Sequence, residues 1–379
     1  MNSSRAKAVL FGAGLAGALV FAISGIRAQS GTAQAAGEPK TAEQAFKNIQ
    51  ILKSTPADQI LPTMQFVANS LGVECEFCHV QGAFEKDDKK TKATARRMMQ
   101  MQFAINKDNF NGEPQVTCNS CHRGSHAPVG IPIISDEEPK RPEAPKTPAT
   151  PGPALPTADQ VLDKFLQAVG GADALQKVTT RSSRGTISFS GGKSPIEILA
   201  KAPNKRISTM HTPNGDSITA FDGQSGWLGN GGRPPRDMSP VEAQAAGFDA
   251  DFSLPLDLKK MFDSFRVRPA DKIGEHDVVQ LIGIKQGQPP LRLYFDQQSG
   301  LLVRSVRYAE TALGRNPTQV DYADYRDQNG VKVPFRWTLA RPLGRFTIQL
   351  EQVQQNVPID NSKFTKPATP SAPPPAPSK

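Results

Sequence analysis

Apolar positions change their spacing twice along this chain of 379 residues. From Pro56 to Leu71 they recur at helical intervals, with Ile60, Met64, Val67 and Leu71 on one face and Pro56-Ala57-Asp58 as the start signal. A second helix is predicted from about Ala93 to Asn106, behind the charged run Glu85 to Lys92, with Met98, Met101 and Ile105 sharing a face. Asn111-Gly112-Glu113-Pro114 then breaks the pattern. After Thr157, a suitable N-cap, the residues Val161, Leu162, Phe165, Leu166 and Val169 form another helical stripe that Gly170-Gly171 ends. The period then becomes two. Ile187 and Phe189, Ile196 and Ile198, Leu291, Leu293 and Phe295, and Phe346, Ile348 and Leu350 alternate with other residues. Turn pairs at Pro203-Asn204, Asp222-Gly223, Ser299-Gly300 and Asn329-Gly330 separate these runs, so an antiparallel sheet is expected. Helical character interrupts it from Pro240 to Phe262, which reads as a plug or lid.

Composition divides the chain further. Residues 135–157 turn to Pro, Lys, Glu and Ala, which cannot bury a core and favours an extended polyproline spacer. The tail, 367–379, has the same character and is expected to be disordered. Residues 1–35 read as an export signal: Arg5 and Lys7 precede an uncharged run from Ala8 to Ile26, and small residues follow at Ala28 and Ala33-Gln34-Ala35. An uncleaved membrane anchor is the alternative, but the run is rich in Gly and Ala and only weakly hydrophobic. Two folded segments remain, 36–134 and 158–366. The formal charge is +9 and the pI about 9.4. Without a basic run interleaved with aromatics, scattered Lys and Arg describe solvated faces, and nucleic acid is not an expected partner.

All the cysteines lie in two copies of one pattern, Cys75-Glu76-Phe77-Cys78-His79 and Cys118-Asn119-Ser120-Cys121-His122. Two thiols three residues apart can each take one vinyl group of a porphyrin, and the histidine that follows turns its imidazole to the iron. Zinc or redox dithiols are the competing uses of paired Cys-x-x-Cys, but neither explains a histidine after both pairs when the chain holds only 5. Two covalent haem c groups are therefore expected, on Cys75 and Cys78 and on Cys118 and Cys121, with His79 and His122 as iron ligands. Haem attachment of this kind is completed outside the cytoplasm, which agrees with the export signal, and it leaves no cysteine for disulfides. Each iron needs a sixth ligand, and a thioether stabilises the ferrous state. Met64 is the candidate for the first iron, while Met98, Met99 and Met101 compete for the second. His126 follows His122 too soon to reach the opposite haem face with ease.

These strings are familiar. Phe46-Lys47-Asn48-Ile49-Gln50-Ile51-Leu52, Thr63-Met64 before the first motif, Ala95-Arg96-Arg97-Met98-Met99-Gln100-Met101, and Val116-Thr117 leading to Arg123-Gly124 around the second resemble the cytochrome c subunit of photosynthetic reaction centres. The resemblance implies ligation by the motif histidine and by a methionine on the preceding helix, which falls on Met64 and on Met98. Members of that family typically carry four haems and this chain has motifs for two, so haem-to-haem electron transfer carries over and photosynthesis does not. Lys89, Lys90, Arg96, Arg97 and Arg123 are candidates for propionate contacts.

The second segment, a helix followed by a long meander with a helical interruption, resembles the half-barrel of outer-membrane lipoprotein carriers. Tyr294-Phe295-Asp296-Gln297-Gln298-Ser299-Gly300-Leu301 and Asp327-Gln328-Asn329-Gly330-Val331-Lys332-Val333-Pro334 carry that likeness. The resemblance implies a concave apolar face for acyl lipid, with Trp227 and Trp337 as candidate lining; the bland reading is a β domain whose inner face is simply its core. No Ser/His/Asp set or phosphate-cradling loop is evident, and His211 and His276 stand alone. The expected fold class is thus multidomain: a mainly α dihaem region, a Pro-rich linker and an α+β antiparallel half-barrel. The expected function is that of a periplasmic electron carrier serving periplasmic or membrane-bound redox proteins. A lipid or lipoprotein carrier with haem as sensor or passenger, and a peroxidase-like haem enzyme, are the alternatives.

Overall fold

A computed structural model of the chain describes residues 40–128, 130, 155–231, 233–270, 272–342 and 344–367. The expected signal, most of the spacer and nearly all of the tail lie outside them. From Lys40 onward, the described residues form one compact unit.

The N-terminal region holds four helices: α1 (Ala42–Ala45), α2 (Ile60–Leu71), α3 (Lys90–Asn109) and α4 (Cys118–His122). A single 3-10 turn, Ala57–Gln59, leads from Pro56 into α2, and Gly72 ends it in the left-handed conformation with φ 66°. Here glycine is required twice over, because a Cβ at Gly72 would strike the carbonyl of Gly124 just beyond α4. Helix α3 begins earlier than its apolar pattern, since Thr91 and Lys92 are fastened to the preceding loop: Thr91 Oγ1 donates to Phe77 O at 2.6 Å and Lys92 Nζ to Phe84 O at 2.8 Å.

After the spacer come α5 (Ala158–Ala168) and α6 (Gly171–Gln176), then β1 (Thr180–Phe189), β2 (Gly192–Lys201), β3 (Lys205–Met210), β4 (Ser217–Phe221), β5 (Gly226–Asn230) and β6 (Arg233–Asp237). The interruption read from the sequence is two helices, α7 (Pro240–Ala250) and α8 (Leu254–Met261). There follow β7 (Ser264–Pro269), β8 (Val278–Ile284), β9 (Leu291–Asp296), β10 (Leu302–Thr311), β11 (Gly314–Gln328), β12 (Val331–Arg341) and β13 (Gly344–Gln355). As expected, Thr157 Oγ1 caps α5 by accepting from Gln160 N at 3.2 Å.

The strands form one open antiparallel sheet of 13, in the order β6-β5-β4-β3-β2-β1-β13-β12-β11-β10-β9-β8-β7. Its two edges, β6 and β7, are consecutive in sequence, so α7 and α8 link one edge to the other. Period-two burial puts Leu281, Leu293, Phe295, Val333 and Leu350 on one face, where they pack with Leu162 and Phe165 of α5 and Leu258 of α8. The opposite face is polar, with pairs such as Arg304–Asp321 and Arg184–Glu197. Trp227 packs at 5 % exposure, its Nε1 donating to Phe364 O, while Trp337 stays half-buried on the inner face.

A Pro-rich spacer suggests units with few mutual contacts, and here the structure corrects that expectation. The turn between β10 and β11 reaches the N-terminal region: Leu313, fully buried, packs with Leu52, Phe66 and Met99. Gly314 lies so close to the Phe66 ring that no side chain fits. Asn316 Nδ2 donates to Pro62 O at 2.9 Å, and Gln102 Nε2 to Leu313 O at 3.0 Å. The tip of the β10–β11 hairpin thus docks on the N-terminal region.

Candidate functional site

Each cysteine motif makes one tight turn of chain. Cys75–Phe77 is a 3-10 turn, and Cys118–His122 is α4, whose end at Arg123 is left-handed with φ 51°. In both, the histidine is held in the same way: His79 Nδ1 lies 3.1 Å from Phe84 O, and His122 Nδ1 lies 3.0 Å from Ser125 O. A carbonyl can only accept, so Nδ1 is the donor, and in the neutral ring Nε2 is the nitrogen with the lone pair. That is the tautomer an iron ligand needs, fixed by an outer hydrogen bond.

Around the second motif lies an open cavity of about 280 Å³. One wall is α3, through Ala95, Met98, Met101 and Ile105; the others include Cys118, Cys121 and His122, with Phe77 and Cys78 from the first motif. The Met98, Met101 and Ile105 face, which as an isolated helix pattern reads as core, faces this space instead: Met98 is 38 % exposed and Met101 47 %, whereas Met99 is buried at 8 %. The buried side of α3 is largely polar and serves to position loops. Asn106 bonds Val116 through both side-chain atoms, at 2.7 and 2.9 Å, fixing the approach to Cys118. Gln102 Nε2 donates to Leu313 O, and its Oε1 accepts from the Cys118 thiol at 3.2 Å, a bond that becomes a plain contact once the sulfur is a thioether without a hydrogen.

The structure therefore brings Met98 together with Cys118, Cys121 and His122, and Met99 and Met101 line the same cavity. Met64, on α2, packs against the Leu52, Phe66, Met99 and Leu313 cluster and does not line that cavity. Cys75 and His79 also stand apart from it. His126 lines the cavity and lies 5.7 Å from the Phe77 ring, so it is nearer the second motif's space than its sequence position suggests.

These surroundings suit a porphyrin. Apart from Leu155, every large exposed apolar side chain among the described residues belongs to the N-terminal region, including Phe77, Phe84, Met98 and Met101. Desolvation raises the Cys78 thiol, although Thr91 and Lys89 oppose it, and pushes Cys118 up to about 11. Both are thus neutral before attachment. Asp87 fastens Asn48, Lys92 and Arg96 beside the first motif, so Arg96 is already engaged at 2.9 Å rather than free for a propionate. Among the described residues, no group of three or more His, Cys, Asp or Glu side chains converges to hold a metal ion, and no helix is long and apolar enough to cross a membrane.

In the β region, His211 and His276 each pair with an aspartate, Asp216 at 2.9 Å and Asp296 at 3.0 Å. Both are structural contacts at turns.

Known proteins resemble the two regions separately. The family model of the photosynthetic reaction centre cytochrome C subunit matches residues 23–159. A photosynthetic reaction center cytochrome c subunit of Thermochromatium tepidum is 35 % identical over 108 residues, 27 % of this chain and 26 % of its own length. Cytochrome c-554 of Chloroflexus aurantiacus is 33 % identical over 85 residues, 21 % of this chain and 20 % of its own. The chain thus spans about a quarter of the length of these relatives. Among solved structures, a LolA superfamily protein of Nitrosomonas europaea covers 56 % of this chain and 99 % of itself, at 14 % identity and TM-score 0.38. A putative outer membrane lipoprotein-sorting protein domain of Vibrio parahaemolyticus covers 55 % and 98 %, at 10 % identity and TM-score 0.38. The N-terminal region, with its twin haem-type motifs, resembles the cytochrome c subunit of photosynthetic reaction centres.

Proposed function

We propose that this protein is an exported dihaem c-type cytochrome that transfers electrons, with haem c attached at Cys75 and Cys78 and at Cys118 and Cys121. The observation that carries the reading is the shared geometry of His79 and His122, each donating from Nδ1 to a backbone carbonyl and leaving Nε2 to bind. A haem held there supplies a one-electron couple. The chain's part is to attach it, to offer Met64 and Met98 as soft sixth ligands, and to line it with Phe77, Ile105 and Val67 so that water is kept away. Periplasmic location follows from the signal-like residues 1–35, and the partners are redox proteins of that compartment or its membrane. Methionine on both irons opposes the peroxidase reading, which needs a labile sixth position.

A second reading concerns the β region, as a carrier of an apolar ligand. Its inner face keeps Tyr322, Trp337, Ile348 and Ile187 in one cross-strand row, all only half-buried.

Intact mass of the purified protein tests the first reading. Two haem additions that resist acid acetone, with the weak far-red band of ferric Met-ligated haem, support it. Fewer additions, or extractable haem, overturn it.

A further inference from the structure

The inner face of the sheet is not uniformly apolar. Register places Arg181, Ala200, Arg206 and Phe221 side by side across β1, β2, β3 and β4, pointing to the face that carries Ile187 and Ile198. On β10, Arg307 alternates with Ser305, whose hydroxyl lies 3.3 Å from that of Tyr322, so it shares the same face. Arg341 reaches the rim from β12.

Against these guanidiniums the covering helix α7 sets one inward carboxylate. Asp249 is bidentate to Arg307, at 2.6 and 2.9 Å, which uses both its oxygens. The other acids on the cover are engaged elsewhere. Glu242 is bidentate to Arg236 at 2.7 and 2.8 Å, and Asp251 accepts from Ser253 N at 2.9 Å. Among the described residues no hydrogen bond engages the side chain of Arg206 or Arg341, although the Asp249 charge acts on both, and Arg181 Nε is buried without a partner, its guanidinium stacked 5.0 Å over Phe252. Desolvation lowers the pKa of Arg206, and it brings Arg181 down to about 10. Asp249 is one carboxylate set among Arg206, Arg307 and Arg341, so this half-buried face keeps a net positive charge that favours an anion.

We propose that this face binds an amphiphile with an oxyanion head group, carboxylate or phosphate, seated on Arg206 beside the Asp249–Arg307 pair, and an alkyl or acyl chain along the Ile187, Ile348, Trp337 and Tyr322 row. The inference rests on the apolar-carrier reading of the β region and adds the head group to it. Asp249 then acts as an internal competitor, neutralising Arg307 and holding α7 over the face until an anion arrives.

Calorimetry on the full-length holoprotein separates the outcomes, using laurate, dodecyl phosphate, dodecanol and inorganic phosphate as probes. Laurate and dodecyl phosphate should bind at least about tenfold more tightly than dodecanol, and inorganic phosphate much more weakly than either. Arg206→Gln should remove most of that preference while leaving dodecanol binding unchanged, and Arg206→Lys should restore part of it. Asp249→Asn should tighten laurate severalfold. The melting curve and the Soret band report whether each variant is folded. Equal binding of laurate and dodecanol, or indifference to Arg206→Gln, overturns the head-group inference and leaves the apolar carrier standing. Phosphate binding as tight as laurate overturns the amphiphile in favour of a free-anion site. If no probe binds, both readings fail.

Discussion

The β region buries its large side chains among themselves, whereas residues 40–128 leave most of theirs open. Leu258, Leu281 and Leu293 are completely buried in a cluster that needs nothing but the sheet and its helices. Among the described residues, the N-terminal region buries only Ala42, Leu52, Phe66 and Met99 of its apolar side chains, and it borrows Leu313 from the sheet. Meanwhile it buries Lys92, Gln102 and Asn106, polar groups that pin loops in place. A segment this short and this poor in core is marginal by itself. The apolar residues of the sheet thus serve one another, whereas those of the N-terminal region are left open for a partner such as the proposed porphyrin.

The largest effect should therefore come from removing a haem attachment. Cys121→Ala is expected to lose about half of the haem absorbance and, with it, the cooperative unfolding of residues 40–128, because the porphyrin supplies the missing apolar contacts. The sheet should survive, as judged by its β-type circular dichroism. Full haem-region stability without that haem would break the comparison.

Next comes the self-built core. Leu293→Ala should destabilise the β region by about 3 kcal/mol, since a fully buried leucine leaves a cavity in a close-packed sheet face. Both midpoint potentials should stay where they were. A shift in either would mean that the β core reaches the haems, and that the two regions are one energetic unit.

Leu313→Ala probes the joint between them, with an expected cost of about 2 kcal/mol because the hairpin tip is smaller than a core strand and can settle. Unlike Leu293→Ala, it should move the potential of the second haem, since the Leu313 carbonyl holds Gln102 and Gln102 touches Cys118. The first haem should be unaffected. Equal shifts in both would point to a change of the whole region rather than of this contact.

How far these features were legible in the sequence depended on the range of the forces involved. The helices, the turns and the two motifs are local, and periodicity and spacing revealed them. Thr157 capped its helix and Asn329-Gly330 turned its hairpin as their chemistry requires. The Met98 and Met101 face was visible as a stripe, but periodicity alone does not distinguish a core from a cofactor wall. Long-range pairings left no local sign. Leu313 lies in an ordinary turn, and only its burial against Phe66 identifies it as part of the joint. Likewise Arg181, Arg206 and Arg307 read as scattered surface charge until strand register set them on one face. Their apolar neighbours, at period two, would have been the cue to ask which way those arginines pointed.

The smallest predicted effect concerns how the N-terminal region is held where it has no core. Asp87 accepts from Asn48, Lys92 and Arg96 at 3.0, 3.0 and 2.9 Å, tying the segment before α2 to the start of α3. The hydrogen bond from Arg96, then those from Asn48 and Lys92, depress its pKa well below the ordinary carboxylate value of 3.8. A carboxylate depressed in the folded state stabilises above its unfolded pKa, and loses that stabilisation as pH falls through the folded value. The haem region's denaturation midpoint should thus fall between about pH 5 and pH 2 more steeply in the native protein than in Asp87→Asn, whose amide does not titrate. Because the carboxylate is solvent-exposed, the difference should be modest and should shrink in about 0.5 M salt. Identical pH profiles would show that this exposed cluster holds nothing, and that attachment of the haems alone keeps the region together.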